Sequence, residues 1–356
     1  MPFISQLEPD ALLTHFMAQP PIGFTVQLSP QGMPTFAAPF DLLTTADDAL
    51  RRRIAGLPLY RHWGRRLRWL TRFAGTTVSE YAPLPADVAP AALARGLKAA
   101  YGSECRLLIV KDIAQDSPLL DDADNAHARA FAAACEHEGF VLLEGQALAW
   151  VPIDFGSCDE YLARLSAGRR KNIRRKLRSR GDLEIEAVRT GDVRFESAAT
   201  RAEFHALFDN VYAQSAIHFD RPSAAFFRDV LQDADSGGVV FVYRHAGQMI
   251  GWNLCYEHGG KLLDKYVGFA YPQAREHNLY FVSWMHNLDY ACKRGLSHYV
   301  AGWTDPEVKS FLGARMTFTR HAVYARNPLL RALLRRLGGY FESDRHWQAS
   351  TVAKDE

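Results

Sequence analysis

Apolar positions in the second half of the chain recur at two spacings, and these predict an ordered series of helices and strands. Phe204, Leu207, Phe208 and Val211 are three to four residues apart, the spacing of one helix face. Short apolar runs rich in β-branched and aromatic residues predict strands. The predicted order is strand, helix, helix, three strands, helix, strand, short helix and strand, over residues 183–191, 200–216, 223–234, 238–244, 249–258, 261–270, 278–295, 297–303, 306–313 and 316–325.

A similar order of elements is predicted in the first half. A strand, a helix and a second strand are expected within residues 106–145, and the same order recurs within residues 261–302. In both segments the helix ends in a cysteine, charged residues and a glycine, at Cys135 to Gly139 and at Cys292 to Gly295. A glycine at this place is typical of a helix C-terminus. The repetition favours a duplicated domain.

Composition is that of a globular protein with about two domains. The chain has 356 residues, of which 48% are hydrophobic and 23% charged, and its net charge is +2. This excludes a disordered chain and a polycation that coats nucleic acid. No apolar run approaches the ~20 residues needed to span a bilayer, and no secretory signal is recognisable at the start. We therefore expect a cytoplasmic location.

The five cysteines lie far apart and form no CxxC pair. They indicate neither a disulfide framework nor a zinc site. The sequence also lacks HxxxH, HExxH and carboxylate clusters with metal-ligand spacing, so we expect no metal.

Positive charge is concentrated in residues 158–182. Nine Lys and Arg residues lie between Arg164 and Arg180 without an acid, whereas the whole chain carries only +2. Apolar residues at helical spacing predict a basic amphipathic linker helix. This helix could bind a phosphate-bearing donor, with Arg174 among the contacts, or rest on an anionic membrane surface. A solvated helix between two acidic halves is also consistent with the pattern.

The order of the second half resembles the GNAT fold of N-acyltransferases. In that family a Pro-x-x-Arg segment and a glycine-rich turn follow the third strand of the meander and open a helix. The backbone N–H groups there hold the pyrophosphate of coenzyme A. Here Pro272 and Arg275 match, and Asn278 and Tyr280 stand at the glycine positions. The resemblance implies donor binding by Arg275, His277, Asn278 and Tyr280.

Two further segments resemble tandem GNAT-like proteins of the Fem-related and peptidoglycan biosynthesis/recognition type. They are the basic stretch from Tyr161 and the stretch from Gly302 to Gly313. The resemblance covers about residues 105–330 and implies an α+β fold of two GNAT-like mixed-sheet domains in tandem, the first degenerate. The predicted parts are an N-terminal degenerate domain (1–157), a basic linker helix (158–182), a C-terminal catalytic domain (183–330) and a C-terminal basic helix and tail (331–356).

The resemblance implies an N-acyltransferase that moves an acyl group from an acyl thioester, on coenzyme A or acyl-carrier protein, to an amine. The family motif places Lys309 at the mouth of the active site, where it could stabilise an oxyanion or a donor phosphate. Asp264 could act as a base through water and Tyr266 as a proton donor. Strand alternation predicts both of these side chains on one face, with Lys265 on the other. A surface role for Lys309 and a paired Asp264 and Lys265 remain open.

Tyr212, His218 and Trp303 are the predicted acceptor-binding residues. His218 follows the first helix of the second half, where acceptor-binding loops lie in this fold, and Trp303 could equally belong to the core. The implied partners are a small-molecule or lipid-linked amine acceptor and acyl-carrier protein. Binding of tRNA is less favoured, and peripheral contact with a membrane surface stays open. Two alternatives stay open: an aminoacyl-tRNA-dependent ligase of the Fem kind acting on a cell-wall precursor, and a non-catalytic module that binds tRNA or lipid.

Overall fold

The computed structural model describes residues 3–41, 52–53, 56–58, 60–215 and 218–337. The chain divides into two compact units. Unit 1 comprises the described residues of 1–6, 22–147 and 317–356, and unit 2 comprises residues 7–21 and 148–316.

The elements are numbered in chain order over the described residues. The strands are β1 (Phe3–Ile4), β2 (Thr25–Leu28), β3 (Pro34–Asp41), β4 (Arg68–Ala74), β5 (Leu84–Pro85), β6 (Leu107–Gln115), β7 (Val141–Pro152), β8 (Glu184–Arg189), β9 (Gly238–His245), β10 (Gln248–His258), β11 (Lys261–Phe269), β12 (His298–Gly302) and β13 (Arg315–Ala325). The α-helices are α1 (Asp10–Ala18), α2 (Tyr60–Trp63), α3 (Pro90–Tyr101), α4 (Asp122–His137), α5 (Cys158–Ala163), α6 (Ala167–Lys176), α7 (Ala198–Gln214), α8 (Ala224–Gln232), α9 (Gln273–Glu276), α10 (Leu279–Lys293), α11 (Pro306–Phe311) and α12 (Pro328–Leu337).

Unit 1 is built on a mixed sheet with the strand order β2-β3-β4-β6-β13. β4 and β6 are parallel, and the other neighbours are antiparallel. α3 and α4 pack against each other, and α4 packs on β6. The fully buried side chains of Phe36, Val110 and Phe131 lie in this core.

Unit 2 is built on a second mixed sheet, in which the end of β7 is followed by β12, β11, β10, β9 and β8. β11 and β12 are parallel, and the other pairs are antiparallel. β9, β10 and β11 form the predicted meander, joined by short turns. α10 covers one face, and α7 and α8 cover the other.

A bulge in β11 corrects the prediction for Asp264 and Tyr266. Asp264 pairs with Cys255 of β10 and Tyr266 pairs with the preceding Leu254, so Lys265 is an extra residue in β11. The extra residue breaks the strict alternation of side chains. Asp264 bonds to Asn287 of α10, on one face. Tyr266 instead packs against aromatic rings of α7 and α8, on the opposite face. The prediction that Asp264 and Tyr266 lie on the same face of the strand was therefore wrong.

The basic segment is also interrupted, although one helix over residues 160–180 was expected. α5 ends at Ala163, and Ser166 begins α6 by accepting a hydrogen bond from the backbone N–H of Arg169. Leu177–Asp182 continue as a 3₁₀ helix. A serine that can cap a new helix is the local reason for the break.

A buried ion pair anchors the N-terminal segment of unit 2. Lys265 Nζ lies 3.1 Å from Glu8 Oε1, and their side chains are 8% and 0% exposed. Removing one partner of such a pair leaves a charge in a low-dielectric interior. We therefore expect Glu8→Gln to lower the free energy of unfolding by about 3–5 kcal/mol in urea titrations. The double variant Glu8→Gln with Lys265→Met should recover part of this loss. Equal losses in the single and the double variant would contradict a stabilising contact between the two charges.

Candidate functional site

A gap opens in the sheet of unit 2 between the parallel strands β11 and β12. The two strands pair only from Lys261 to Leu263 and from His298 to Val300. Beyond this point β11 continues beside β10 as far as Phe269, while β12 ends at Gly302. Diverging strands leave main-chain groups that do not pair across the gap and can bind a ligand.

Lys309 lies at this gap. The short helix α11 follows β12 and brings the Lys309 ammonium to 2.6 Å from the carbonyl oxygen of Ala301, to which it donates a hydrogen bond. The residue is only 5% exposed. Gly302 has φ +77°, and a Cβ placed on it would lie 4.0 Å from Lys309 Nζ and 3.8 Å from the carbonyl oxygen of Asp264. The cation therefore lies beside both strands where they separate.

The carboxylate of Asp264 accepts hydrogen bonds from three side chains. Asn253 donates to Oδ1 at 2.6 Å, and the Tyr299 hydroxyl and the Asn287 amide donate to Oδ2 at 2.7 and 3.3 Å. Burial raises the pKa of Asp264, against the opposing effects of the Tyr299 and Asn253 hydrogen bonds and the nearby Lys309 charge. The result is a fixed carboxyl group that is more basic than an exposed aspartate.

Helix α10 begins beside the gap. Asn278 precedes its first residue in the left-handed conformation, with φ +50°, at a position where the related family has glycine. Tyr280 stands at the second of the two positions where glycine was expected. Its hydroxyl is buried without a hydrogen-bond partner among the described residues. Burial raises the pKa of Tyr280, and so do the charges of Asp305 and Asp264. Tyr280 therefore lies within electrostatic range of the Asp264 carboxylate.

The other predicted donor-binding residues have partners on elements outside the gap. Arg275 bonds to Gln214 of α7. His277 packs against His245 of β9, with the rings tilted and their centroids 4.2 Å apart. Arg174 bonds to Asp159 of α5 at 3.0 Å.

Of the predicted acceptor-binding residues, the structure brings two together. The rings of Tyr212 and His218 lie edge to face with centroids 5.0 Å apart, and Arg221 lies over the Tyr212 ring. Trp303 is half-buried and directly follows the last residue of β12.

Asn253, Asn287 and Tyr299 belong to the site but were missed by the sequence analysis. Each lies in a predicted strand or helix without a recognisable motif. A usable signal was present, because Asn253 and Asn287 are polar residues at positions where the pattern expects apolar ones. Both are fully buried, and a buried amide needs hydrogen-bond partners.

The sequence of unit 2 matches a known family. Residues 167–310 match the sequence model of the acetyltransferase (GNAT) domain. Unit 2 therefore contains a GNAT-like domain. For this segment the match confirms the predicted superfamily and the predicted class of enzyme, and it supports acyl transfer in general. No curated protein sequence matches the chain.

Two solved structures are similar to this chain over most of its length. One is titled "C-terminal Domain (DUF2156) of Putative Lysylphosphatidylglycerol Synthetase" from Agrobacterium fabrum, with 13% identity, 91% of this chain and 95% of that chain covered, and a TM-score of 0.52. The other is L-PGS from Bacillus licheniformis, with 12% identity, coverage of 94% and 98%, and a TM-score of 0.51. The α+β class with two GNAT-like domains in tandem is confirmed.

Neither a membrane span nor a metal cluster occurs in the part of the chain that the structure describes. None of the helices there is both long and apolar enough to cross a bilayer. No group of three or more His, Cys, Asp and Glu side chains there is arranged to hold a metal ion.

Proposed function

We propose that unit 2 transfers an acyl group from a thioester, on coenzyme A or an acyl-carrier protein, to an amine at the gap between β11 and β12. The observation that carries the proposal is the presence of a buried cation and a partly buried carboxylate near each other, where two parallel strands separate. Lys309 and Asp264 are the groups. Acyl transfer needs a stabilised oxyanion and a base, and these side chains have the required charges.

Lys309 has the electrostatic role in this proposal. When the amine nitrogen attacks the thioester carbonyl, negative charge develops on the carbonyl oxygen. A fixed cation in a buried position stabilises that charge more than it would in water. The hydrogen bond to Ala301 holds the ammonium in place before the donor binds.

Asp264 is proposed to take the proton that the amine loses, through a water molecule. Its raised pKa makes it a better base, and its hydrogen bonds fix its orientation. As the intermediate collapses, the carbon–sulfur bond breaks and the thiolate leaves with a proton. Tyr280 is proposed as the donor of that proton, because its hydroxyl is buried without a hydrogen-bond partner among the described residues, at the start of α10, and is close enough to Asp264 to feel its charge. Tyr266, the proton donor expected from the sequence, lies on the opposite face.

The anionic end of the donor is proposed to lie at the start of α10. Backbone N–H groups in the first turn of a helix favour phosphate, and Arg275 and His277 lie immediately before this helix. Tyr212, His218 and Trp303 remain proposed contacts of the amine acceptor, and Arg174 a proposed contact of the donor.

Tyr280→Phe tests the proton-donor role. We expect kcat to fall about tenfold or more, since general acids typically contribute 10²–10⁴. Because the hydroxyl is buried without a partner, its removal should leave stability unchanged or raise it by about 1 kcal/mol. Steady-state kinetics and thermal unfolding measure both. Tyr290→Phe on the same helix is the control: its hydroxyl bonds to Glu257, so it should lose stability and keep kcat. An unchanged kcat in Tyr280→Phe would remove Tyr280 from the mechanism.

The donor is identified by a comparison of four compounds. Acetyl-CoA, longer acyl-CoAs, acyl-carrier protein and aminoacyl-tRNA are each incubated with the whole chain, and thermal stability and thiol release are recorded. The proposal predicts stabilisation by a thioester and release of its thiol when an amine is present. Response to aminoacyl-tRNA alone would favour the Fem-type ligase. No response to any donor would favour a non-catalytic module.

A further inference from the structure

One end of unit 1 carries an amphipathic helix with a well-defined start. α12 reads PLLRALLRRL. Asn327 caps it, since its side-chain oxygen accepts a hydrogen bond from the backbone N–H of Leu329 at 2.8 Å. Pro328 occupies the first helical position, where its fixed φ is compatible with the helix. These two residues fix the point at which the helix leaves β13.

The apolar stripe of α12 is only partly covered. Leu330 and Leu334 are half-buried. Leu329 and Leu333 are 79% and 49% exposed. These two leucines are four residues apart, so they lie one above the other on the same side of the helix. Exposed leucines in a contiguous stripe, rather than scattered singly, indicate a contact surface.

Cations surround this stripe. Residues 326–337 contain four arginines and no acid: Arg326, Arg331, Arg335 and Arg336. Arg326 donates to the carbonyl oxygen of Ser103, and Arg331 lies 4.9 Å from the Tyr324 ring centroid, so both are held against unit 1. Arg335 and Arg336 are exposed. The uncovered leucines therefore lie within an entirely cationic segment.

The neighbouring strand ends extend the same surface. The backbone N–H of Arg326 donates to the carbonyl oxygen of Arg106, which immediately precedes β6. β4 runs parallel to β6, so its first residues lie at the same end of the sheet. Among them Arg68 is exposed and Leu70 is 66% exposed. Leucine and arginine thus occur side by side on two elements.

A cleft of about 500 Å³ opens at these strand ends. Arg68, Trp69, Arg72 and Arg106 line it, and the Arg106 guanidinium lies 5.2 Å from the Trp69 ring centroid. The lining residue Glu104 is paired with Arg72 at 2.7 Å. The Nε of Arg72 is buried without a hydrogen-bond partner among the described residues. This charge pattern suits a phosphate group.

We propose that this end of unit 1 docks on the surface of an anionic lipid bilayer. Leu329 and Leu333 enter the interface, and the arginines contact lipid phosphates. Cations alone would suit any polyanion, including RNA. The exposed leucines among these cations favour a lipid bilayer, because only a bilayer has an apolar interior beneath its phosphates. Each arginine near such a surface adds to the affinity, and the leucines add the hydrophobic part.

The test is co-sedimentation of the full chain with vesicles. We expect binding to vesicles of mixed phosphatidylglycerol and phosphatidylcholine, weakened by added salt, and about tenfold weaker binding to phosphatidylcholine alone. The pair Leu329→Ser and Leu333→Ser should weaken binding to the anionic vesicles by about tenfold or more. Both leucines are exposed, so thermal unfolding should be unchanged. The control is Val193→Ser, a 74% exposed apolar residue of unit 2, which should bind as the parent does.

Two results would overturn the proposal. Equal binding to the two kinds of vesicle would show that charge plays no part, and full binding by the double leucine variant would show that α12 is not inserted. A single-stranded RNA oligomer is the competing ligand. RNA binding that requires Arg335 and Arg336 but not the leucines, without vesicle binding, would assign the surface to nucleic acid. None of these readouts depends on acyl transfer.

Discussion

Lys309→Met is expected to reduce kcat by about 10²–10³, the loss typical when one group of an oxyanion site is removed. Methionine has a similar length but no charge, so it removes the cation at the strand gap and retains much of the side-chain volume. The effect should fall mainly on kcat, because the charge that Lys309 stabilises develops during the reaction. Steady-state kinetics with the donor identified above measure the change.

Stability must be separated from catalysis in this variant. The carbonyl oxygen of Ala301 loses its 2.6 Å donor, so we expect a loss of about 1–3 kcal/mol in the free energy of unfolding. Assays are therefore run well below the unfolding midpoint. Lys309→Arg keeps the charge with a different geometry and should retain intermediate activity. The control Lys293→Met removes a lysine that is 74% exposed on α10, and its kcat should be that of the parent. If Lys309→Met has the same kcat as the parent, Lys309 does not have the proposed electrostatic role.

Asp264→Asn is expected to reduce kcat by about 10²–10⁴, because it replaces the proposed general base by a group that cannot accept the proton. The amide can be accommodated. If the amides of Asn253 and Asn287 flip together, the Asn253 oxygen accepts from the new amide and the Asn253 nitrogen donates to the Asn287 oxygen. The fold should thus persist, and the control Asp289→Asn, on the surface of α10, should keep its activity.

The pH dependence of activity provides a second readout for Asp264. A base must be ionised, so kcat/KM of the parent should fall as the pH decreases through the raised pKa of Asp264. Asp264→Asn should lose this acidic limb together with most of its activity. If the fall of kcat/KM in acid is unchanged in Asp264→Asn, another group is responsible for it.

The pH dependence of stability has a defined sign. The pKa of Asp264 is raised in the folded state, so folding favours the protonated form. Its contribution to stability is full below the usual aspartate pKa and is lost as the pH rises through the raised pKa. At neutral pH the ionised carboxylate therefore lowers stability. Asp264→Asn should raise the unfolding temperature at neutral pH, and the difference should shrink in acid.

Most elements of unit 2 could be predicted because local spacing determines them. The meander of β9, β10 and β11 follows from three apolar runs separated by short turns. The bulge could not be predicted, because Lys265 reaches the opposite face through an ion pair with Glu8, 257 residues away. The break between α5 and α6 was missed because the leucine spacing continues across Ser166. α1 was also absent from the predicted elements.

The candidate site was predicted in part. Lys309 and Tyr280 were named from motif positions and Asp264 from its place on a predicted strand, and the structure brings Lys309 and Asp264 to the same strand gap. Their roles remain predictions. The amides that orient Asp264 could not be found from spacing alone, because Asn253 and Asn287 come together only when β10 and α10 pack. A motif identifies residues along the chain, whereas the hydrogen bonds that tune a carboxyl group arise from contacts between distant segments.

The order in which the strands are synthesised has a consequence for folding in the cell. β6 of unit 1 pairs with β13, and the backbone N–H of Asp112 in β6 donates to the His321 ring, 209 positions later in the chain. While the ribosome completes unit 2, this edge of β6 lacks its partner and presents free backbone groups that favour association with other chains. Unit 2 ends at residue 316. We expect it to mature first, and chains terminated before residue 315 to aggregate through unit 1 even though the GNAT domain is intact.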